Sequence, residues 1–93
     1  MIDDKKIGLN VKTFRSVFNE TQKDLAKLLG FTNKAISLFE KGERRMDIDV
    51  LAKIAEHYMI TVDELISSDY SNSEKIDIDK IETREKVPIN NSL

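Results

Sequence analysis

The chain of 93 residues contains no cysteine and no tryptophan, and it has one histidine, one proline and three glycines. Without cysteine, disulfides, thiolate zinc sites, iron–sulfur clusters and cysteine nucleophiles are excluded. A single histidine excludes a metal site built from several histidines. The proline, Pro88, lies near the C-terminus, so no proline interrupts a helix in the first part of the chain.

Long apolar runs are missing as well. No stretch approaches the roughly 20 residues that a membrane-spanning helix needs. Residues 1–6 are mostly charged and lack the apolar core of a signal peptide. The length suits one small domain and is too short for two domains with separate cores. We therefore expect a cytoplasmic chain without membrane contact.

The net charge of −2 argues at first sight against a nucleic-acid partner. The charge is unevenly distributed, however. Between Lys12 and Arg45 there are eight basic and four acidic residues, whereas one lysine faces five acids between Met46 and Ser67. The low total is thus the sum of a basic part and an acidic part, and it predicts modest non-specific affinity for DNA rather than none.

Apolar spacing predicts helices over about residues 7–66. Ile7, Val11, Phe14 and Phe18 recur at steps of three and four, which makes one apolar stripe, and Gly8 is expected in the first turn of that helix. Four more short helices are predicted from residues that favour helix starts and stops, namely Asn19, Thr21, Gly30, Thr32, Gly42, Asp47 and Thr61. The prediction is an all-α domain of five helices over residues 1–67, followed by a polar, acidic tail over residues 68–93.

The second and third helices are joined by a three-residue turn that contains glycine, Gly30-Phe31-Thr32. This is the local signature of a helix-turn-helix. At about 100° per residue, one face of the third helix is polar and basic, and the opposite face is apolar. On such a face asparagine can form hydrogen bonds with adenine, and lysine can donate hydrogen bonds to guanine or to phosphate. An ordinary amphipathic helix with a solvated polar face remains the alternative at this point. The polar face carries Asn33, Lys34, Ser37, Leu38 and Lys41, and the apolar face carries Ala35, Ile36 and Phe39.

A longer pattern adds to this turn: Thr21-Gln22-Lys23-Asp24-Leu25-Ala26, then Leu29-Gly30, Ile36 and Phe39-Glu40-Lys41-Gly42. The pattern resembles the Cro/cI-type (XRE) family of phage-repressor helix-turn-helix domains over about residues 7–66. The resemblance implies a compact five-helix domain whose third helix enters the major groove of double-stranded DNA. It further implies a transcriptional regulator, in our hypothesis a repressor that binds a palindromic operator as a homodimer and needs no cofactor.

The resemblance also implies roles for individual residues. It places base contacts at the start and outer face of the third helix, contacts to the DNA backbone around it, and a partly buried salt bridge between the first and third helices. The residues expected to read bases are Asn33, Lys34, Ser37 and Leu38; those expected at the backbone are Thr21, Gln22, Thr32, Lys41, Arg44 and Arg45; the expected salt bridge joins Arg15 and Glu40.

Three positions depart from the family pattern. Leu38 stands where a polar base reader is common, so it is expected to contact a thymine methyl group or, alternatively, a partner protein. Met46 replaces the proline that usually precedes the fourth helix. Glu20 replaces an apolar residue before the second helix, and this loses the hydrophobic staple expected there.

No motif indicates an enzyme. His57 has no second histidine or cysteine to join it, so we expect it to be a surface residue. For residues 68–93 three interpretations stay open: an acidic segment that does not fold, a dimer contact, or a segment that binds a protein partner. The last corresponds to the alternative function, an antitoxin or other protein-interaction module that uses the same fold.

Overall fold

The computed structural model describes residues 2–70. Within them the chain forms five α-helices and no strand, which confirms the predicted all-α class. The interpretations offered for the tail lie outside the described residues from residue 71 onward. The helices are α1 (Asp4–Val17), α2 (Gln22–Leu29), α3 (Asn33–Lys41), α4 (Ile48–His57) and α5 (Val62–Ser67).

Side-chain caps begin every helix. Asp3, Thr21, Thr32, Asp47 and Thr61 each accept a hydrogen bond from a backbone N–H of the first turn, which satisfies donors that the helix cannot pair internally. The start of α1 at Asp4 lies earlier than the apolar stripe alone indicated, because Asp3 supplies its cap.

Reciprocal caps begin α2 and α5. The carboxylate of Asp24 accepts from the backbone N–H of Thr21, and this hydrogen bond lowers the pKa of Asp24. Glu64 accepts from Thr61 in the same way.

Left-handed residues end three of the helices where the sequence indicated a stop. Asn19 follows α1 with a φ of 57°, Gly30 ends α2 with a φ of 76°, and Gly42 ends α3 with a φ of 73°. Met59 adopts the same conformation after α4, with a φ of 60°, and nothing in the local sequence indicated it. These tight reversals let five short helices pack around one centre.

The apolar faces of all five helices share a single core. Its largest fully buried side chain is Tyr58, whose ring stacks on Phe14 with centroids 5.0 Å apart. Met46, which takes the place of the usual proline before α4, is buried, with 6% of its surface exposed. Packing of this side chain therefore fixes the chain where it enters α4. The core residues are Ile7, Val11, Phe14, Leu25, Ala26, Leu29, Ala35, Ile36, Phe39, Met46, Val50, Leu51, Ile54, Ala55, Tyr58 and Leu65.

A buried amide secures the end of the described chain. Asn10, fully buried in α1, donates to the carbonyl oxygens of Leu65 and Ser68 and accepts from the backbone N–H of Tyr70. Without it the buried carbonyl oxygen of Leu65 and the partly buried groups of Ser68 and Tyr70 would lose this partner. Asn10 therefore holds the residues that follow α5 against α1.

His57 lies at the surface only in part, because it contacts Glu20. The carboxylate of Glu20 accepts a hydrogen bond from the hydroxyl of Tyr58 at 2.7 Å and contacts Nε2 of His57. The side chain of His57 is 27% exposed. Burial and the neighbouring Glu20 raise the pKa of Tyr58, so its hydroxyl stays protonated and donates. Glu20 thus replaces the lost hydrophobic staple with a polar link to the end of α4.

Gly8 also differs from expectation. It lies in the second turn of α1, buried where α1 crosses the end of α3. A Cβ atom there would come 2.3 Å from the carbonyl oxygen of Phe39 and 2.6 Å from that of Glu40. Both neighbours are backbone atoms and cannot move aside cheaply, so this glycine is required by the close approach of the two helices.

We predict that Gly8→Ala destabilises the protein by about 1–3 kcal/mol, because overpacking outweighs the gain in helix propensity of about 1 kcal/mol. The free energy of unfolding in urea checks this. Ser16→Ala, at an exposed position of the same helix, is the control and should change stability by less than about 0.5 kcal/mol. An unchanged or more stable Gly8→Ala variant would contradict the packing argument.

Candidate nucleic-acid interface

The turn between α2 and α3 is closed by backbone and side-chain hydrogen bonds. After α2 ends at Gly30, the N–H of Phe31 returns to the carbonyl oxygen of Ala26 at 2.9 Å. The hydroxyl of Thr32 then accepts from the N–H of Ala35 at 3.1 Å and begins α3. Buried apolar side chains fill the space between the two helices, namely Leu25, Ala26, Leu29 and Ile36. The result is the helix-turn-helix that the sequence indicated.

The outer face of α3 is open to solvent. Asn33, Lys34 and Lys41 are exposed and Ser37 and Leu38 are half-buried, whereas the opposite face is in the core. The structure therefore brings all four predicted base-reading residues together on one face, in the first two turns of the helix. Their side chains supply amide, amino, hydroxyl and apolar groups, which are the groups that recognise base edges in a major groove.

A buried carboxylate holds this helix in place. Arg15 of α1 donates to Glu40 through Nε at 2.7 Å and through Nη2 at 3.2 Å. The side chain of Glu40 is only 3% exposed and that of Arg15 is 15% exposed. Hydrogen bonding to Glu40 raises the pKa of Arg15, so the guanidinium stays charged. The same guanidinium donates through Nη1 to the carbonyl oxygen of Glu20 at 2.8 Å.

Gln22 joins this network, which the sequence pattern did not indicate. Its Nε2 donates to Oε1 of Glu40 at 3.0 Å, so the first residue of α2 is bonded to α3. One amide hydrogen is thereby used inside the protein. The second hydrogen of the same amide group is what Gln22 can offer to a phosphate.

Thr21 and Thr32 use their hydroxyl oxygens as helix caps. A hydroxyl that accepts one hydrogen bond can still donate its own hydrogen. Each threonine lies beside the unpaired N–H groups at the start of a helix, where an anion is favoured. This position is compatible with the backbone role that the sequence resemblance implied for both residues.

Three basic residues lie at or just after the end of α3, and each has different surroundings. Lys41 is exposed on the outer face. The guanidinium of Arg44 lies 5.4 Å from the ring centre of Phe31 and 5.1 Å from that of Phe39, within the range of a cation–π contact. Arg45 pairs instead with Asp4 of α1, Nε to Oδ2, at 3.2 Å. The sequence indicated Phe31 only as a residue of the turn, and it indicated no role for Asp4.

Within residues 2–70 no group of three or more histidine, aspartate or glutamate side chains is arranged to hold a metal ion. None of the described helices is long and apolar enough to cross a membrane.

A helix-turn-helix family model matches residues 21–65. Two archaeal relatives named as HTH-type transcriptional regulators are similar to the chain. The one from Methanocaldococcus jannaschii is 33% identical over 55 residues, which cover 59% of this chain and 83% of the relative. The one from Archaeoglobus fulgidus is 32% identical over 59 residues, which cover 63% of this chain and 83% of the relative.

Solved structures show the same fold at lower identity. The clp gene regulator ClgR from Corynebacterium glutamicum superposes with a TM-score of 0.62 at 19% identity, covering 67% of this chain and 66% of that chain. Apo-HppE superposes with a TM-score of 0.61 at 23% identity, and the match spans 68% of this chain and 35% of the HppE chain. Because the identities are low and the matches partial, these two structures support the fold alone.

The buried network yields a prediction about stability. Glu40→Leu should cost about 3–5 kcal/mol in the free energy of unfolding, because Arg15 is left as an uncompensated charge. The double variant Arg15→Met/Glu40→Leu should recover part of that loss, since neither charge is then buried. Urea unfolding of the two variants measures both values. A double variant less stable than Glu40→Leu would contradict this account of the pair.

Proposed function

Because the chain belongs to the helix-turn-helix family of transcriptional regulators and is a DNA-binding protein of that family, we propose that it is a repressor. In this proposal two copies bind a palindromic operator, and each inserts α3 into the major groove of one half-site. Bound protein then blocks access of the transcription machinery to the promoter.

The outer face of α3 is the observation that supports this proposal best. Asn33 and Lys34 are exposed in the first turn of the helix, and the helix that carries them is held by the Arg15–Glu40 pair. A recognition helix needs this combination, because base contacts require side chains whose positions are set before binding.

The surrounding groups suit the DNA backbone. The start of α2, with Thr21 and Gln22, offers backbone N–H groups and the positive end of a helix dipole to a phosphate. At and after the C-terminal end of α3 the chain carries three basic residues, Lys41, Arg44 and Arg45. In the proposed complex these groups set the orientation of the protein, and Asn33, Lys34, Ser37 and Leu38 read the sequence.

The small size of the reading surface supports the proposed homodimer. One α3 contacts only a few base pairs, so a single copy has little specificity. Two copies related by a twofold axis would bind half-sites about one helical turn apart, roughly 34–36 Å.

Selection of bound duplexes from a random DNA pool tests the proposed function. We expect enrichment of an inverted repeat whose half-sites are about ten base pairs apart, with affinity that falls steeply with salt. Enrichment of an asymmetric site would refute the palindromic dimer, and a pool without enrichment would refute sequence-specific binding by the isolated chain.

Lys34→Ala should relax sequence preference at one base pair of each half-site and cost about 1–3 kcal/mol on the selected duplex. Binding to random duplex should change much less. Fluorescence anisotropy with both duplexes measures the two effects, and Lys53→Ala, an exposed lysine of α4, is the matched control. Equal losses on both duplexes would show that Lys34 contacts the backbone instead.

Arg44→Gln should weaken binding to selected and random duplexes by the same factor, because a phosphate contact carries no direct sequence information. The slope of log affinity against log salt should become shallower by about 0.9, the value for one phosphate contact. Titrations over a series of salt concentrations measure the slope. An unchanged slope would assign Arg44 to a structural role on Phe31 and Phe39.

A further inference from the structure

Among residues 2–70, Arg45 is the one cation beside the outer face of α3 that already has an anionic partner. Its Nε lies 3.2 Å from Oδ2 of Asp4, and the two side chains are 71% and 27% exposed. Within residues 2–70, neither Lys41 nor Arg44 forms an ion pair. The pair joins residues 41 positions apart in the sequence.

The position of Asp4 is set by the fold. It is the first residue of α1, directly after the cap Asp3, whose carboxylate accepts from the N–H groups of Lys5 and Lys6. The next residue, Lys5, packs so closely on the end of α3 that a Cβ atom at Gly42 would lie 2.7 Å from its Cα. The first turn of α1 thus packs directly against the end of α3. This packing fixes the position of the Asp4 carboxylate next to Arg45.

We propose that Asp4 is an internal competitor of the DNA phosphate for Arg45 and thereby lowers the affinity of the protein for DNA. This inference rests on the proposed function, since it assigns Arg45 to the DNA backbone.

A carboxylate and a phosphate bind a guanidinium through the same kind of charge-assisted hydrogen bond. For Arg45 to bond a phosphate fully, it has to leave Asp4. In the proposed complex a phosphate that approaches Arg45 also approaches the carboxylate paired with it. At separations shorter than the Debye length of about 8 Å at physiological salt the two negative charges repel each other. Both effects act on every DNA sequence alike.

The exposure of the pair sets the size of the effect. Exposed ion pairs are weak, so Asp4 reduces the affinity without abolishing it. We expect Asp4→Asn to tighten binding to selected and random duplexes alike, by about two- to five-fold at low salt, and to steepen the salt slope by up to about 0.9. The ratio of the two affinities should therefore stay constant, which separates this effect from a change in base reading.

A double-mutant cycle with Asp4→Asn, Arg45→Gln and the double variant tests the proposal, with anisotropy titrations on both duplexes. The gain from Asp4→Asn should disappear in the Arg45→Gln background, because the competition needs both partners. Asp63→Asn removes the same charge from the first turn of α5, at an exposed position, and it is the control for net charge. Urea unfolding of each variant shows that the domain stays folded.

Three results would overturn the competitor role: no gain from Asp4→Asn, an equal gain in the Arg45→Gln background, or an equal gain from Asp63→Asn. The random duplex keeps this test separate from that of the proposed function. A wild-type chain that prefers no sequence refutes the operator-binding repressor, whereas the cycle on random duplex still decides whether Asp4 competes with DNA. A wild-type chain that binds neither duplex refutes both.

Discussion

The carboxylate of Glu40 is the point on which the arrangement of the first three helices depends. It lies in α3, almost fully buried, and accepts hydrogen bonds from Arg15 of α1 and from Gln22 at the start of α2. A buried charge of this kind is costly to desolvate and is stable only when its partners are in place. The relative positions of the three helices are therefore coupled, since displacing either α1 or α2 would take away one of the two side chains that donate to Glu40.

Gly8 allows this ion pair to form. Because it has no side chain, α1 approaches the carbonyl oxygens at the end of α3 closely, and Arg15, two turns further along α1, reaches Glu40. The same guanidinium donates to the carbonyl oxygen of Glu20, and the carboxylate of Glu20 accepts from Tyr58 at the end of α4. A continuous series of hydrogen bonds thus links α3 to α4 through the loop before α2. These hydrogen bonds lie on the inner side of α3, and they fix the position of the helix whose outer face is polar.

The sequence predicted the parts of the molecule that depend on local interactions. Apolar spacing and capping residues such as Thr21 and Thr61 act within a few residues, so the five helices and most of their ends could be identified. The residues of the outer face of α3 followed from helical geometry, and the Arg15–Glu40 pair from the resemblance to a known family.

Interactions between distant residues were the ones that the sequence did not reveal. The need for Gly8 arises from carbonyl oxygens of α3, more than 30 positions away. Glu20 looked like the loss of a staple, because its partners His57 and Tyr58 lie far along the chain, at the end of α4. Likewise, the sequence did not show that Asp4 pairs with Arg45 or that the ring of Phe31 lies beside the guanidinium of Arg44. In each case a polar or close contact depends on the packing of helices, which no local pattern encodes.

The proposed function depends on contact between the outer face of α3 and DNA. Backbone amide NMR spectra of the labelled chain, recorded during titration with its selected duplex, test this most directly. We expect the largest shifts at Asn33, Lys34, Ser37 and Leu38 and at the start of α2, with small shifts in α5. Largest shifts on α4 and α5, with α3 unchanged, would contradict it.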